Sequence, residues 1–245
     1  MTVPVARRVA GEFIGSAGLA VVVVGSGIAA QQLSTDTGLQ LLENALVTAL
    51  GLAVLILVFA PVSGAHFNPV VSAVDALLGG RPWTDVARYV VAQIAGCIVG
   101  AVLANLMFGL DAVSLSTTER ATWPHALAEV VATAGLVVVI FALVRTGRSS
   151  LVAPAVGAYI GAAYFFTSST SFANPAITIG RMFSDTFAGI APASAPVYLA
   201  AQLGGAALGW LAVRLLFPVQ QPAPRVPDDE SFRQKAPHKP RNVGD

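Results

Sequence analysis

A few side chains could carry chemistry inside an otherwise apolar chain. Asn68 and Asn174 each precede a proline, in SGAHFNPV (63–70) and SFANPA (171–176). Glu12 and Glu129 sit in EFIGSAG and EVVATAG, stretches with no other charge. His66 lies two residues before Asn68, and Arg181 follows Asn174 by seven. An ionisable group inside a membrane-length apolar run is costly unless it is paired or hydrogen-bonded, so it is a candidate functional group. A carboxylate there could couple to protons; a histidine could bind a metal or offer a hydrogen bond. The metal reading of His66 is weak, because the other histidines are His125, near the opposite face, and His238, in the C-terminal tail. The sequence holds no nucleophile–base pair, no phosphate-binding glycine loop and no metal-ligand cluster, so nothing points to an enzyme, a cofactor or a metal.

The elements that must position these groups are long apolar segments. Of 245 residues, 55% are hydrophobic and 11% charged, and mean hydropathy is +0.72. Uncharged runs cover 13–35, 44–74, 89–110, 149–180 and 186–213, and 121–144 is broken only by Glu129. A bilayer core of ~30 Å takes ~20 apolar residues as a helix, so these runs give six spans. They lack the alternation of a membrane barrel. Net charge is +1, which suggests no nucleic-acid partner. Arg7, Arg8, Arg81, Arg88, Arg145, Arg148 and Arg214 fall at one set of span ends, while 31–43 has no basic residue and 108–122 has only Arg120. The positive-inside rule then puts both termini in the cytoplasm. The N-terminal stretch has features of a signal peptide, but Glu12 would interrupt its apolar core. Cys97 is the sole cysteine, so no intramolecular disulfide forms, and its place in span three suits a small apolar residue.

The chain reads as a duplication, with halves of about 5–110 and 121–217 in a channel domain of 1–217. Glu12 and Gly18 match Glu129 and Gly135; Tyr89 and Gln93 in YVVAQIAG match Tyr198 and Gln202 in YLAAQLGG. Three spans per half is an odd number, so the halves are inverted, as in many channels and transporters. The runs holding the Asn-Pro pairs have 31 and 32 residues by their end positions, 44–74 and 149–180, too long for one span each. Each reads as a full helix, a re-entrant turn and a short helix. Asn is a favoured N-cap and Pro a favoured first helical residue. Asn68 and Asn174 therefore start half-helices over about 68–78 and 174–184, each ~16 Å long. Asn-Pro could merely mark loops, but two pairs at matching places argue against that. The residues 218–245, with six prolines and nine charges, read as a disordered cytoplasmic tail.

These boxes, with Glu12, Glu129, Gln93 and Gln202, resemble the aquaporin, or major intrinsic protein, family over about 5–217. The resemblance implies an all-α membrane protein of six transmembrane helices plus two re-entrant half-helices in an inverted repeat. It implies a homotetramer in the lipid bilayer of the cell (inner) membrane, each subunit a passive pore for small neutral solutes. The pore boxes would be Asn68, Pro69 and Val70, where the family usually has Ala, and Asn174, Pro175 and Ala176. Glu12 and Glu129 would hold the re-entrant loops, and His66 would line the cytoplasmic mouth.

The family's outer filter uses four positions, which ungapped counting puts at Thr48, Ala162, Ser171 and Ile177. Aromatics are then absent and Ile177 replaces the usual Arg, implying a wide filter poor in donors. Arg181, four residues further, either brings a positive charge to an outer vestibule or reaches to the surface beside Asp185. The text NPAITIGRMFSDTFAGIAPASAP is similar to a bacterial subgroup often encoded with arsenic-resistance genes. That implies passage of As(OH)3 or methylated arsenicals besides water and glycerol-like polyols. Two competing functions, a proton- or ion-coupled secondary transporter using Glu12 or Glu129 and a membrane enzyme or structural organiser, are disfavoured by the paired half-helix pattern.

Overall fold

The computed structural model describes residues 3–218. The tail from 219 onward, with His238 and the disorder expected of it, lies outside the described residues. The elements in order are α1 (Val5–Leu33), α2 (Thr37–Ser63), α3 (Pro69–Leu77), α4 (Trp83–Met107), α5 (Trp123–Arg145), α6 (Val152–Phe166), α7 (Pro175–Gly180) and α8 (Ala195–Leu216). Single 3-10 turns precede α6 and α8, and another, Arg181–Phe183, continues α7. Six helices are long and apolar enough to cross a membrane, and no strand occurs among the described residues. This is an all-helical, multi-pass membrane architecture.

Local chemistry explains where the elements begin and stop. Asp36 caps α2 by accepting from Leu39 N at 2.9 Å, and Thr122 caps α5 through His125 N. Each N-cap oxygen satisfies a donor that the first helical turn leaves unpaired. The short helices are tighter than expected, at 69–77 and, with the 3-10 turn, 175–183 rather than 68–78 and 174–184. The asparagines serve as caps outside the helices. Gly79, at φ +84°, ends α3, and Gly80 N bonds back to Asp75 O at 2.8 Å. A left-handed glycine is the usual helix stop because it has no Cβ to clash.

The packing is duplicated. In the first half α1 lies on α2 and α4, and α3 on α4; in the second, α5 lies on α6 and α8, and α7 on α8. Across the halves α2 meets α6, α4 meets α7, and α3 meets α8. Small residues make these approaches possible where lipid supplies no hydrophobic drive between helices. A Cβ on Gly205 would stand 2.5 Å from Val130 O, and one on Gly209 2.7 Å from Ala134 O. Gly96 and Gly100 of α4 oppose the carbonyls of Phe13 and Ala17 in the same way. Gly205→Val should therefore overpack the α5–α8 contact and cost about 1–3 kcal/mol. The unfolding temperature of the detergent-solubilised protein is expected to fall accordingly.

Candidate functional site

Two non-helical segments enter the interior, one between α2 and α3 and one between α6 and α7. They share a backbone shape. Gly64, Ala65 and Phe67 have φ of 93°, 51° and 49°; Thr170, Ser171 and Ala173 have 61°, 51° and 47°. These positions stand at equal distances before Asn68 and Asn174. Five of the six carry a Cβ, and left-handed backbone at such residues persists only where its surroundings hold it.

The glutamates supply that hold. Glu12 Oε1 accepts from Ser63 Oγ at 2.6 Å and His66 N at 3.0 Å, and Oε2 from Phe67 N at 2.7 Å and Gln93 Nε2 at 2.8 Å. Glu129 repeats the pattern with Ser169 Oγ (2.6 Å), Phe172 N (2.9 Å), Ala173 N (2.8 Å) and Gln202 Nε2 (2.7 Å). Both side chains are fully buried. A buried carboxylate that accepts several charge-assisted bonds recovers much of its lost hydration. The two glutamines then reach on to Ser72 Oγ (3.0 Å) and Thr178 Oγ1 (2.9 Å), tying α4 to α3 and α8 to α7.

Held this way, the two segments exchange hydrogen bonds at their tips. Asn68 Oδ1 accepts from Val70 N at 3.1 Å, and Asn174 Oδ1 from Ala176 N at 2.9 Å. Asn68 Nδ2 donates to Ala173 O and Asn174 Nδ2 to Phe67 O, each at 2.8 Å. The N-termini of α3 and α7 thus meet head to head. Each amide carries two N–H groups; one crosses to the other loop and a second remains.

Both asparagines border a cavity of about 350 Å³. Its walls are mostly apolar stripes spaced four residues apart: Leu52 and Ile56 of α2, and Val152, Val156 and Ile160 of α6. That spacing keeps one helix face toward one place. Val152 to Tyr164 covers about 18 Å of helix rise. Polar groups are sparse: Thr48, Tyr164, Ser171 and Arg181 toward one end, His66, Asp75 and Ser149 toward the other. His66 Nδ1 lies 3.0 Å from Ser72 Oγ and its Nε2 3.1 Å from an Arg81 nitrogen, while Arg81 pairs with Asp75 at 2.6 Å. No group of three potential metal ligands occurs among the described residues.

Of the four expected filter positions, Thr48, Ser171 and Ile177 border the cavity together. Ala162 does not: it is exposed on the outer face of α6. Tyr164 stands in the wall instead, its hydroxyl 3.2 Å from Thr48 Oγ1. Two residues along a helix swing the side chain by about 200°, so ungapped counting put the wrong face inward. The expectation of no aromatic there is corrected with it. The four-residue stripe ending at Tyr164 was the signal in the sequence. Arg181 is also resolved against the surface reading. It is 2% exposed and borders the cavity, while Asp185 accepts from Thr117 N at 2.8 Å. Pro69, Pro175 and Ala176 start the short helices, and Val70 is buried behind the wall. Glu12 and Glu129 do not border the cavity. Cys97 is buried, as a small apolar residue would be.

Known proteins match this arrangement. A model of the family described as major intrinsic protein matches residues 1–173. The chain is 44% identical to aquaglyceroporin AqpS of Rhizobium meliloti, over 92% of this chain and 96% of that protein. It is 28% identical to aquaporin NIP1-2 of Oryza sativa, over 86% and 73%. It is 31% identical to a glycerol uptake facilitator protein of Streptococcus pneumoniae, over 54% and 62%. Among solved structures, the aquaglyceroporin from Plasmodium falciparum superposes with a TM-score of 0.71 at 20% identity, covering 87% of this chain and 97% of that one.

Glu129→Gln tests the hold on the second loop. An amide would turn a donor toward either Ser169 and Phe172 or Ala173 and Gln202, leaving buried donors unpaired. A loss of about 2–4 kcal/mol is expected, read as a lower unfolding temperature, with Glu12→Gln behaving alike.

Proposed function

The chain belongs to the major intrinsic protein family, and on that premise we propose that it is a passive membrane channel for small uncharged solutes. These are water, glycerol-like polyols and trivalent arsenic as As(OH)3 or its methylated forms. The observation that carries the reading is the pair of crossed asparagine amides where two helix N-termini meet beside an otherwise apolar cavity. Each helix N-terminus carries about +0.5 of a charge. The meeting point therefore disfavours cations and protons. The remaining asparagine N–H groups offer donors to a passing oxygen. The apolar walls give it little else to bind, so passage is fast.

The relatives' names fit this class: one is an aquaglyceroporin and another a glycerol uptake facilitator. A filter of Thr48, Tyr164, Ser171 and Ile177, without arginine at the Ile177 position, suits solutes wider than water. The same proposal includes a homotetramer in the cell (inner) membrane with both termini in the cytoplasm, following the family pattern and the arginine distribution. Nothing favours proton coupling through Glu12 or Glu129. Each already accepts four hydrogen bonds and stands outside the cavity wall.

Stopped-flow light scattering on proteoliposomes tests the reading. The native protein is expected to speed water, glycerol and As(OH)3 entry over empty liposomes. Ile177→Arg should cut entry of both solutes by about tenfold or more, equivalent to at least ~1.4 kcal/mol of added barrier, while water still flows. Folded protein that moves neither water nor solute faster than empty liposomes would overturn the channel function.

A further inference from the structure

Ile177 brings no charge to the cavity, yet a cation stands one turn further along. Arg181 lies on the same side of the half-helix, about 6 Å further from Asn174. Its guanidinium carbon sits 3.4 Å from the centre of the Phe172 ring, and its Nε donates to Ala188 O. Among the described residues no carboxylate comes within ion-pair distance of it. Asp185 spends its carboxylate on Thr117, and the oxygens of Glu129 are filled by four donors. The two terminal nitrogens of Arg181 have no protein partner among the described residues and are not fully buried, and the side chain borders the cavity. Burying a cation without a counter-ion is costly. A side chain that only served stability would be better replaced by an apolar one.

A strap of chain, 184–191, keeps the cation in place. Besides the Ala188 carbonyl, Ile190 N bonds to Arg181 O at 3.4 Å. Arg120 fastens the strap by donating to Gly189 O at 2.8 Å and Phe187 O at 3.1 Å, and it lies 5.5 Å from the Phe172 ring. Gln31 Oε1 accepts from Phe187 N at 2.7 Å, and Ser184 Oγ donates to Asn105 Oδ1 at 2.7 Å. Gln31 of α1, Asn105 of α4 and Arg120 thus fasten the strap that holds a cation bordering the cavity.

We propose that Arg181 is the charge-selecting and hydroxyl-donating residue of the outer constriction, acting from one turn beyond the position that Ile177 occupies. This deepens the channel function proposed above and rests on it. The guanidinium fork donates to two oxygens of a neutral polyhydroxyl solute. The hydroxyl pair of Thr48 and Tyr164 supplies donors and acceptors in the same part of the wall. The positive charge turns back cations before they reach the asparagines. Ser171, whose hydroxyl has no partner among the described residues, and Ile177 then line a chamber inside the cation. That chamber suits a neutral solute bulkier than water.

The test compares full-length native protein, Arg181→Ala and Arg181→Lys in proteoliposomes. Proton leak is followed with an enclosed pH dye under a potassium–valinomycin clamp, alongside water and glycerol flux. Arg181→Ala should raise the leak per folded channel by about tenfold or more, the change given by removing ~1.4 kcal/mol of electrostatic barrier. Arg181→Lys should keep the leak near the native level and lower glycerol flux relative to water, because an ammonium lacks the fork. If Arg181→Ala does not fold, Arg181→Met, of similar length, carries the same comparison. Native leak and a native glycerol-to-water ratio in the neutral variant would overturn the role of Arg181 and leave the channel standing. Absence of water and glycerol flux in the folded native protein would overturn both.

Discussion

Backbone that leaves its helix inside a membrane finds no water to bond with. The whole arrangement depends on how two buried carboxylates answer that constraint. Glu12 and Glu129 each take two backbone N–H groups from a re-entrant segment and one side-chain donor from the long helix behind it. A carboxylate suits this because it is acceptor-only when ionised and has room for about four donors. The same bonds that satisfy the loops also fix their shape. Left-handed backbone at Phe67 and Ala173 delivers Asn68 and Asn174 to the ends of α3 and α7. The caps and the crossed amide bonds follow from there.

Much of this was legible in the sequence because it is written in residue types with few uses. An Asn-Pro pair inside an apolar run is a cap followed by a first helical residue. Glu12, Glu129, Gln93 and Gln202 are polar groups where polarity is costly, and they recur at matching places. The cavity wall was harder to read. Ala162 and Tyr164 are both unremarkable in an apolar helix, and choosing between them requires the rotation of α6 about its axis. Packing against α2 sets that rotation, through Gly157 beside the Ala49 carbonyl and Gly161 against the Ala49 side chain. Arg181 was ambiguous for a different reason. Its environment comes from Phe172 and from Ala188 in a strap that has no periodic pattern.

In the proposed channel, two controls on passage lie at different depths. At the asparagines, fixed dipoles and two donors would act on whatever arrives, and the hydrogen-bonded frame leaves them little freedom to change. Further out, Thr48, Tyr164, Ser171 and Ile177 border the cavity with side chains that a single substitution would alter. On the proposed function, this division lets one frame accommodate differing solutes. The costly, mutually dependent hydrogen bonds belong to the frame, and the inexpensive choices belong to the wall.

Passive flow is the claim on which the rest turns, and one measurement reaches it directly. Labelled glycerol is followed into proteoliposomes with and without an imposed proton gradient of either sign. A channel brings the internal concentration up to the external one and no further, whatever the gradient. Accumulation above the external concentration that collapses when a protonophore is added would contradict it, and would return Glu12 and Glu129 to a role in proton coupling.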